Sequence, residues 1–368
     1  MKVKGRHFET IWIHPENRAI VQIIDQRYLP FEFVIEDVDT VEAMFTAIRD
    51  MHLRGAPLIG AAGALGMYLA MTHAPEMGDI SGYVNRTATY LKSSRPTAVN
   101  LAWAVDQVVH EIRGSNSREE LILRSLDVSM HIIAMERTNC RKIGEYGLPF
   151  IEEIFSQRPQ VPVNILTHCN AGWLACIDYG TALAPVYLAH EKGIPVHVWV
   201  DETRPRNQGA RLTSWELEQN GIPCTVITDN AGGYFMKQGK VDMVMVGCDR
   251  ASSHGDIINK VGTYLKALAA FDNGIPFYAA LPSSTIDWAL EEGGMGSPIE
   301  ERDGDEIRYV EGWASGYPDR IGIIPEGTSV ANPGFDVTPA RLVTAIITER
   351  GVTRADKMSI LKLFPEKT

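Results

Sequence analysis

The stretch Val163-Asn-Ile-Leu-Thr-His-Cys-Asn-Ala-Gly172 decides the fold. A short apolar run breaks off into polar residues, and a helical pattern over residues 171–190 follows. The rhythm repeats downstream. Residues 196–200 run into Asp201-Glu-Thr-Arg-Pro205 and then Gln208, residues 224–228 into Asp229-Asn230, residues 241–247 into Cys248-Asp-Arg250, and residues 277–281 into Pro282-Ser-Ser-Thr285. Three of these runs follow a Gly-Ile-Pro tripeptide, at Gly193, Gly221 and Gly274. Short apolar strands alternating with helices indicate a parallel sheet covered on both faces. Such sheets bind ligands at the carboxyl ends of their strands. A thiol, several carboxylates and an arginine gather at those ends here, although polar residues there can also merely cap helices.

Before about residue 150 the pattern differs. Residues 20–25 form one short apolar run, closed by the turn Asp25-Gln-Arg-Tyr-Leu-Pro30, and helical patterns cover 41–51, 57–71, 98–112 and 118–146. This reads as a small sheet with several helices, residues 1–150, ahead of the parallel-sheet part, residues 151–368. Gly147-Leu-Pro149 looks like a helix end more than a linker, so the division is soft.

Composition narrows the class. The 368 residues are 45% apolar and 22% charged, as in an ordinary globular protein. The net charge of -11 repels phosphate backbones and disfavours nucleic acid as a partner. No apolar run reaches the roughly 18 residues of a membrane span, and Met1–Thr10 lacks the apolar core of a secretory signal, which makes the cytoplasm the expected compartment. The five cysteines are scattered, with no Cys-x-x-Cys pair and no zinc spacing, so neither a disulfide framework nor a metal is expected. There is no Gly-x-Ser-x-Gly elbow of a serine hydrolase.

Individual residues then suggest chemistry. Cys169 lies where strand passes to helix; a helix N-terminus there would favour its thiolate, against the alternative of a buried structural thiol. Asp249 follows a strand and a glycine; desolvation would raise its pKa and suit it as a general acid, unless it pairs with Arg250 or caps a turn. Asn259 and Lys260 would open a helix over 261–271, where a buried lysine can meet an anion, though surface lysines are commoner. Arg54-Gly55-Ala56-Pro57 precedes another helix and has the makings of a phosphate cradle without being a Walker A loop. Arg95 stands before a further helix as a second phosphate ligand or a solvated loop residue. Gly60, Gly63 and Gly66 recur inside one helix and are better explained by close packing than by a dinucleotide fingerprint. Cys140, Cys176 and Cys224 read as structural, and strand alternation turns Cys248 away from Asp249.

Taken in order, Asp25–Pro30, Arg54–Pro57, Arg95-Pro-Thr97, Thr167–Gly172, Asp201–Pro205 with Gln208-Gly-Ala-Arg211, Gly247–Arg250, Asn259-Lys-Val-Gly-Thr-Tyr264 and Val330–Pro339 closely resemble the S-methyl-5-thioribose-1-phosphate isomerases of methionine salvage. The resemblance covers nearly the whole chain. The same superfamily holds ribose-1,5-bisphosphate isomerases and the non-catalytic regulatory subunits of a translation-initiation exchange factor. It implies an α/β protein in which a small N-terminal domain with a short antiparallel sheet precedes a Rossmann-like domain. It implies a cytoplasmic homodimer that isomerises an aldose phosphate to a ketose phosphate without metal, nucleotide or other cofactor. By motif, Cys169 and Asp249 would be the catalytic pair. Arg54, Gly55, Ala56, Arg95, Gln208, Asn259 and Lys260 would bind the sugar phosphate.

The residues themselves suit that chemistry. The substrate is an acetal capped by phosphate, so its ring cannot open freely. Opening needs an acid, a second proton-handling group and a tight anion site. The chain departs from the family pattern at Trp173, at Cys248 and over Ala251-Ser-Ser-His254. These neighbours of the pair bear on the 5-substituent, and 5-deoxyribose 1-phosphate is an alternative substrate. A non-catalytic regulatory subunit is the alternative of a different class.

Overall fold

The computed structural model describes residues 1–76, 79–115, 117–290 and 299–367. At its start β1 (Lys2–Val3) pairs with β2 (Arg6–His7), and β3 (Ile11–Ile13), β4 (Val21–Asp25) and β5 (Val34–Val38) form an antiparallel sheet in that order. The helices α1 (Val41–Arg49), α2 (Ala56–Thr72), α3 (Ile80–Ser93), α4 (Val99–Glu111) and α5 (Arg118–Gln157) follow. Every residue of α2 from Ala56 to Met71 is buried; a helix apolar all round belongs at the centre of its cluster. Its glycines admit the neighbours. A Cβ on Gly60 would lie 3.1 Å from the Asn100 carbonyl, one on Gly63 2.5 Å from Leu101 Cδ1, and one on Gly66 3.1 Å from both Leu91 Cδ2 and Met44 Cγ. Close helix packing accounts for the spacing, as the sequence indicated.

Next come β6 (Val163–Thr167), α6 (Ala184–Glu191), β7 (Val196–Asp201), α7 (Ser214–Gln219), β8 (Cys224–Ile227), α8 (Gly232–Lys237), β9 (Met243–Val246), β10 (Arg250–Ser252), β11 (Ile257–Lys260), α9 (Thr263–Asp272), β12 (Phe277–Ala280) and β13 (Ile286–Asp287). The chain closes with α10 (Asp305–Arg308), β14 (Tyr309–Ala314), β15 (Tyr317–Gly322), β16 (Phe335–Thr338), β17 (Ala345–Thr348), β18 (Gly351–Thr353) and α11 (Lys357–Leu363). Seven strands form one sheet in the order β18-β17-β12-β9-β6-β7-β8. All its pairings are parallel except β17 with β18. The five strands read from the sequence are all present; β17 and β18 are additions. Alternation divides the sheet between two cores: Ile165, Met243, Met245 and Ala280 face one, Leu166, Val244, Val246 and Ala279 the other.

The strand order locates a ligand site. From β6 the chain moves outward through β7 and β8, then returns to place β9 on the other side of β6 and moves away through β12 and β17. β6 and β9 therefore flank the point where the winding reverses, and the crevice at their carboxyl ends is where doubly wound sheets bind ligands. A second sheet, β13-β10-β11-β16, and a hairpin, β14-β15, complete the fold.

One local expectation fails. Gly147-Leu-Pro149 does not end a helix: α5 runs 40 residues, through Pro149, to Gln157. A proline inside a helix removes one backbone bond, and packing carries the helix past it. Gly144 and Gly147 lie against α6, where an added Cβ would meet Leu188 Cδ1 at 2.8 Å and Pro185 Cγ at 2.4 Å respectively.

Helix α5 also buries Glu136, whose Oε1 accepts from Ser284 Oγ at 2.8 Å. Burial pushes this carboxyl from 4.5 up to about 7, Glu349 adding to the rise and the Ser284 and Asn139 bonds opposing it. The folded state thus holds the proton more tightly than the unfolded chain. Its contribution to stability is complete below pH ~4.5 and lost as pH rises through ~7. Glu136→Gln is expected to flatten the fall in Tm between pH 5 and pH 8, recovering up to about 3 kcal/mol at the upper end. A variant with the wild-type slope in thermal melts refutes this.

Candidate active site

One cavity opens at the carboxyl ends of β6 and β9. Arg54, Gly55, Ala56, Arg95, Cys169, Gln208, Asp249, Asn259 and Lys260 all line it. The loops after β6, β7 and β9, the N-terminus of α2, the segment before α4 and the end of β11 bring them there. The residues singled out from sequence therefore come together, but several arrive by routes the sequence did not suggest.

Cys169 is buried, with a backbone φ of 66°, a left-handed conformation uncommon outside glycine. Its N–H donates to Thr203 Oγ1 at 2.8 Å, and its carbonyl accepts from Thr213 Oγ1 at 2.7 Å. These two threonines, near β7 and before α7, hold the strained residue in place. The expected helix over 171–190 does not begin behind it. The chain makes only a 3-10 turn, Trp173–Ala175, and α6 starts at Ala184. The reason is tertiary. Gly172 and Gly180 pack so closely that a Cβ on Gly180 would lie 2.3 Å from the Gly172 carbonyl carbon, and Glu216 Oε2 takes the Leu174 N–H at 3.1 Å. The thiol therefore has no α-helix dipole behind it. Burial pushes it up, Arg54 and Lys260 pull it down, and Asp249 adds to the rise. The net direction is upward, so Cys169 rests as a neutral thiol.

Asp249 donates its backbone N–H to the Ile258 carbonyl at 3.0 Å. Burial raises its carboxyl, against the pull of Lys260, Arg95 and Arg54. The net direction is upward, which favours the protonated acid relative to an exposed aspartate. Asn259 and Lys260 lie at the end of strand β11, not at a helix start, because α9 begins at Thr263. Pairing of β11 with β10 and β16 holds them there. Lys260 Nζ donates to the Gly334 carbonyl at 2.8 Å and lies 4.9 Å from the Phe335 ring centroid. Burial lowers the lysine, while Cys169 and Asp249 raise it. Asn259 Nδ2 donates to Thr263 Oγ1 at 3.0 Å.

The other side of the cavity is built for an anion. Arg54 Nη1 donates to the Asn170 carbonyl at 2.9 Å and Nη2 donates to Asn170 Oδ1. Arg95 Nη2 donates to Glu300 Oε2 at 3.2 Å. Arg54 Nε, Arg95 Nε and Gln208 Oε1 are buried without a protein partner among the described residues. Buried polar atoms are normally paired, so two orphan donors and one orphan acceptor on residues lining the same cavity mark a place for a polar ligand. Gly55 (φ 104°) starts α2, whose first N–H groups have no partner within the helix. A Cβ on Gly55 would lie 2.3 Å from the Ala175 carbonyl oxygen. Gly55→Ala is expected to destabilise the fold by about 3 kcal/mol and to weaken inorganic phosphate binding. Wild-type melting and phosphate affinity in this variant would show that the cradle does not need glycine.

Some wall residues escaped the sequence reading. His168 lies beside Cys169, its Nδ1 2.9 Å from Asp201 Oδ2 and its Nε2 2.9 Å from the Val261 carbonyl, and Lys266 Nζ sits 3.2 Å from the same Asp201 oxygen. Arg302 and Phe335 line the cavity as well, and Thr203 and Thr213 support Cys169 from outside it; none was singled out as a site residue, because only contacts distant in sequence give them a role. Cys248, expected to turn away, lines the cavity too. Strand β9 stops at Val246, so alternation no longer governs it. Cys176, read as core, is buried and lines the cavity as well. Among the described residues, two side-chain sets have the donors to hold a metal: Asp25, Glu36 and His52, and His168, Asp201 and Asp229. Cationic partners already occupy both, Arg27 on Asp25 and Lys266 on Asp201.

The chain matches the initiation factor 2 subunit family over residues 52–355. It is 52% identical to a methylthioribose-1-phosphate isomerase of Desulfatibacillum aliphaticivorans, over 100% of both chains. The crystal structure of 5-methylthioribose 1-phosphate isomerase from Pyrococcus horikoshii superposes with a TM-score of 0.84 at 36% identity, covering 98% of this chain and 97% of that one. The translation initiation factor eIF-2B subunit delta from A. fulgidus superposes with a TM-score of 0.80 at 35% identity, covering 98% and 100%.

Proposed function

Since the chain belongs to the initiation factor 2 subunit family, among its methylthioribose-1-phosphate isomerases, we propose that it converts S-methyl-5-thioribose 1-phosphate to S-methyl-5-thioribulose 1-phosphate in methionine salvage. Asp249 serves as general acid and Cys169 as the second proton-handling group. Arg54, Gly55, Ala56, Arg95, Gln208, Asn259 and Lys260 hold the phosphate and hydroxyls. The observation that carries this reading is the meeting of a raised carboxyl, a raised thiol and an orphan-lined anion wall in one buried cavity.

The chemistry follows from those environments. Asp249 gives its proton to the ring oxygen as the bond from C1 to that oxygen breaks. Hydrogen then passes from C2 to C1, and the C2 hydroxyl proton returns to the Cys169–Asp249 pair, which ends as it began. Burial keeps water from competing and strengthens the pull of Arg54 and Lys260 on the anion. A regulatory subunit without activity has no use for this constellation, and Cys169, Asp249 and Lys260 are all retained. The proposed setting is a homodimer in the cytoplasm. Among the described residues no helix is long and apolar enough to cross a membrane.

Purified protein given methylthioribose 1-phosphate, with chelator present, is expected to form the ketose 1-phosphate. No turnover removes the reading. Turnover of 5-deoxyribose 1-phosphate at a higher kcat/KM replaces the substrate but leaves the reaction class.

A further inference from the structure

We infer that Glu216 is a positioning residue for Arg54, acting through Asn170; this rests on the reading of Arg54 as a ligand of the substrate phosphate. Glu216, on the short helix α7, is fully buried at 0% exposure. Its Oε1 accepts from Asn170 Nδ2 at 2.9 Å and its Oε2 from the Leu174 N–H at 3.1 Å. Asn170 Nδ2 also donates to Thr213 Oγ1 at 3.1 Å.

With its amide nitrogen committed to two oxygens, Asn170 must turn Oδ1 the other way. That oxygen and the Asn170 carbonyl are the two acceptors of Arg54 Nη2 and Nη1. The orientation of the guanidinium is thus dictated from Glu216, and Arg54 Nε is left unpartnered on the cavity wall. Gly172 exists to admit the carboxylate: a Cβ there would lie 1.4 Å from Glu216 Oε1. Burial pushes Glu216 up to about 8, with the Leu174 N–H and Arg54 pulling the other way. Both carboxyl oxygens meet donors on the Asn170–Leu174 segment and none on α7 itself, so the side chain anchors that segment.

Glu216→Gln keeps the shape but sets an NH2 against an N–H donor. It is expected to raise KM for methylthioribose 1-phosphate, and the Kd for inorganic phosphate, about tenfold, with kcat within about twofold. Glu216→Asp, which retains both acceptors, is expected to lose less. The decisive measurement is a double-mutant cycle on phosphate binding: in an Arg54→Ala background neither Glu216 variant should weaken binding further. Additive losses, or no loss in either single variant, overturn the inference. Because phosphate titration needs no turnover, wild-type protein that binds phosphate but leaves the sugar unchanged sinks the isomerase reading and still tests Glu216. Wild-type protein that does not bind phosphate overturns the Glu216 inference at its premise.

Discussion

Asp249→Asn is expected to cut kcat for methylthioribose 1-phosphate about a thousandfold while KM and Tm stay near wild type. Asparagine has the same shape and leaves the backbone bond to Ile258 intact. What it lacks is the proton. Burial raises the wild-type carboxyl above its ordinary value, so it holds its proton to higher pH than an exposed aspartate does. Wild-type kcat/KM should fall on the alkaline side, once pH passes that raised value and the acid ionises. The residual activity of the variant should lose this limb. A variant within tenfold of wild type, or one that keeps the alkaline limb, removes Asp249 from the proton-donating role.

Cys169→Ser should be nearly as severe, again about a thousandfold in kcat. The backbone bonds to Thr203 and Thr213 do not involve the sulfur and survive. A serine hydroxyl gives up and takes a proton far less readily than a thiol, and Arg54 and Lys260, which pull the thiol down, cannot bring a hydroxyl into range. Near-normal turnover by the serine variant would assign the second role to another group, with Lys260 first in line. Substrate deuterated at C2 separates the remaining routes: loss of the label to solvent during turnover rejects a pure hydride shift.

The site was legible where residue type and turn position coincide. Cys169, Asp249, Gln208, Arg54 and Arg95 all lie in polar segments next to the elements read from sequence, and each lines the cavity. Their supports were not legible. Thr203 and Thr213 hold Cys169 from 34 and 44 residues away, and Glu216 reaches Asn170 across 46. No local window contains both partners of such a bond.

What the chain determined by itself was the order of layers. Apolar runs such as 163–166 and 277–281, each cut off by polar residues, require strands buried on both faces, and the glycines of α2 require tight neighbours. What folding alone decided was the environment of each group. A helix pattern over 171–190 gave way because two glycines pack together and a buried carboxyl oxygen takes the Leu174 N–H. Lys260 became the end of a strand because β10 and β16 flank β11. The thiol and the carboxyl were raised because both were shut away from water. Side-chain periodicity is a property of neighbours along the chain, whereas desolvation and hydrogen-bond partners depend on which distant segments close over a residue.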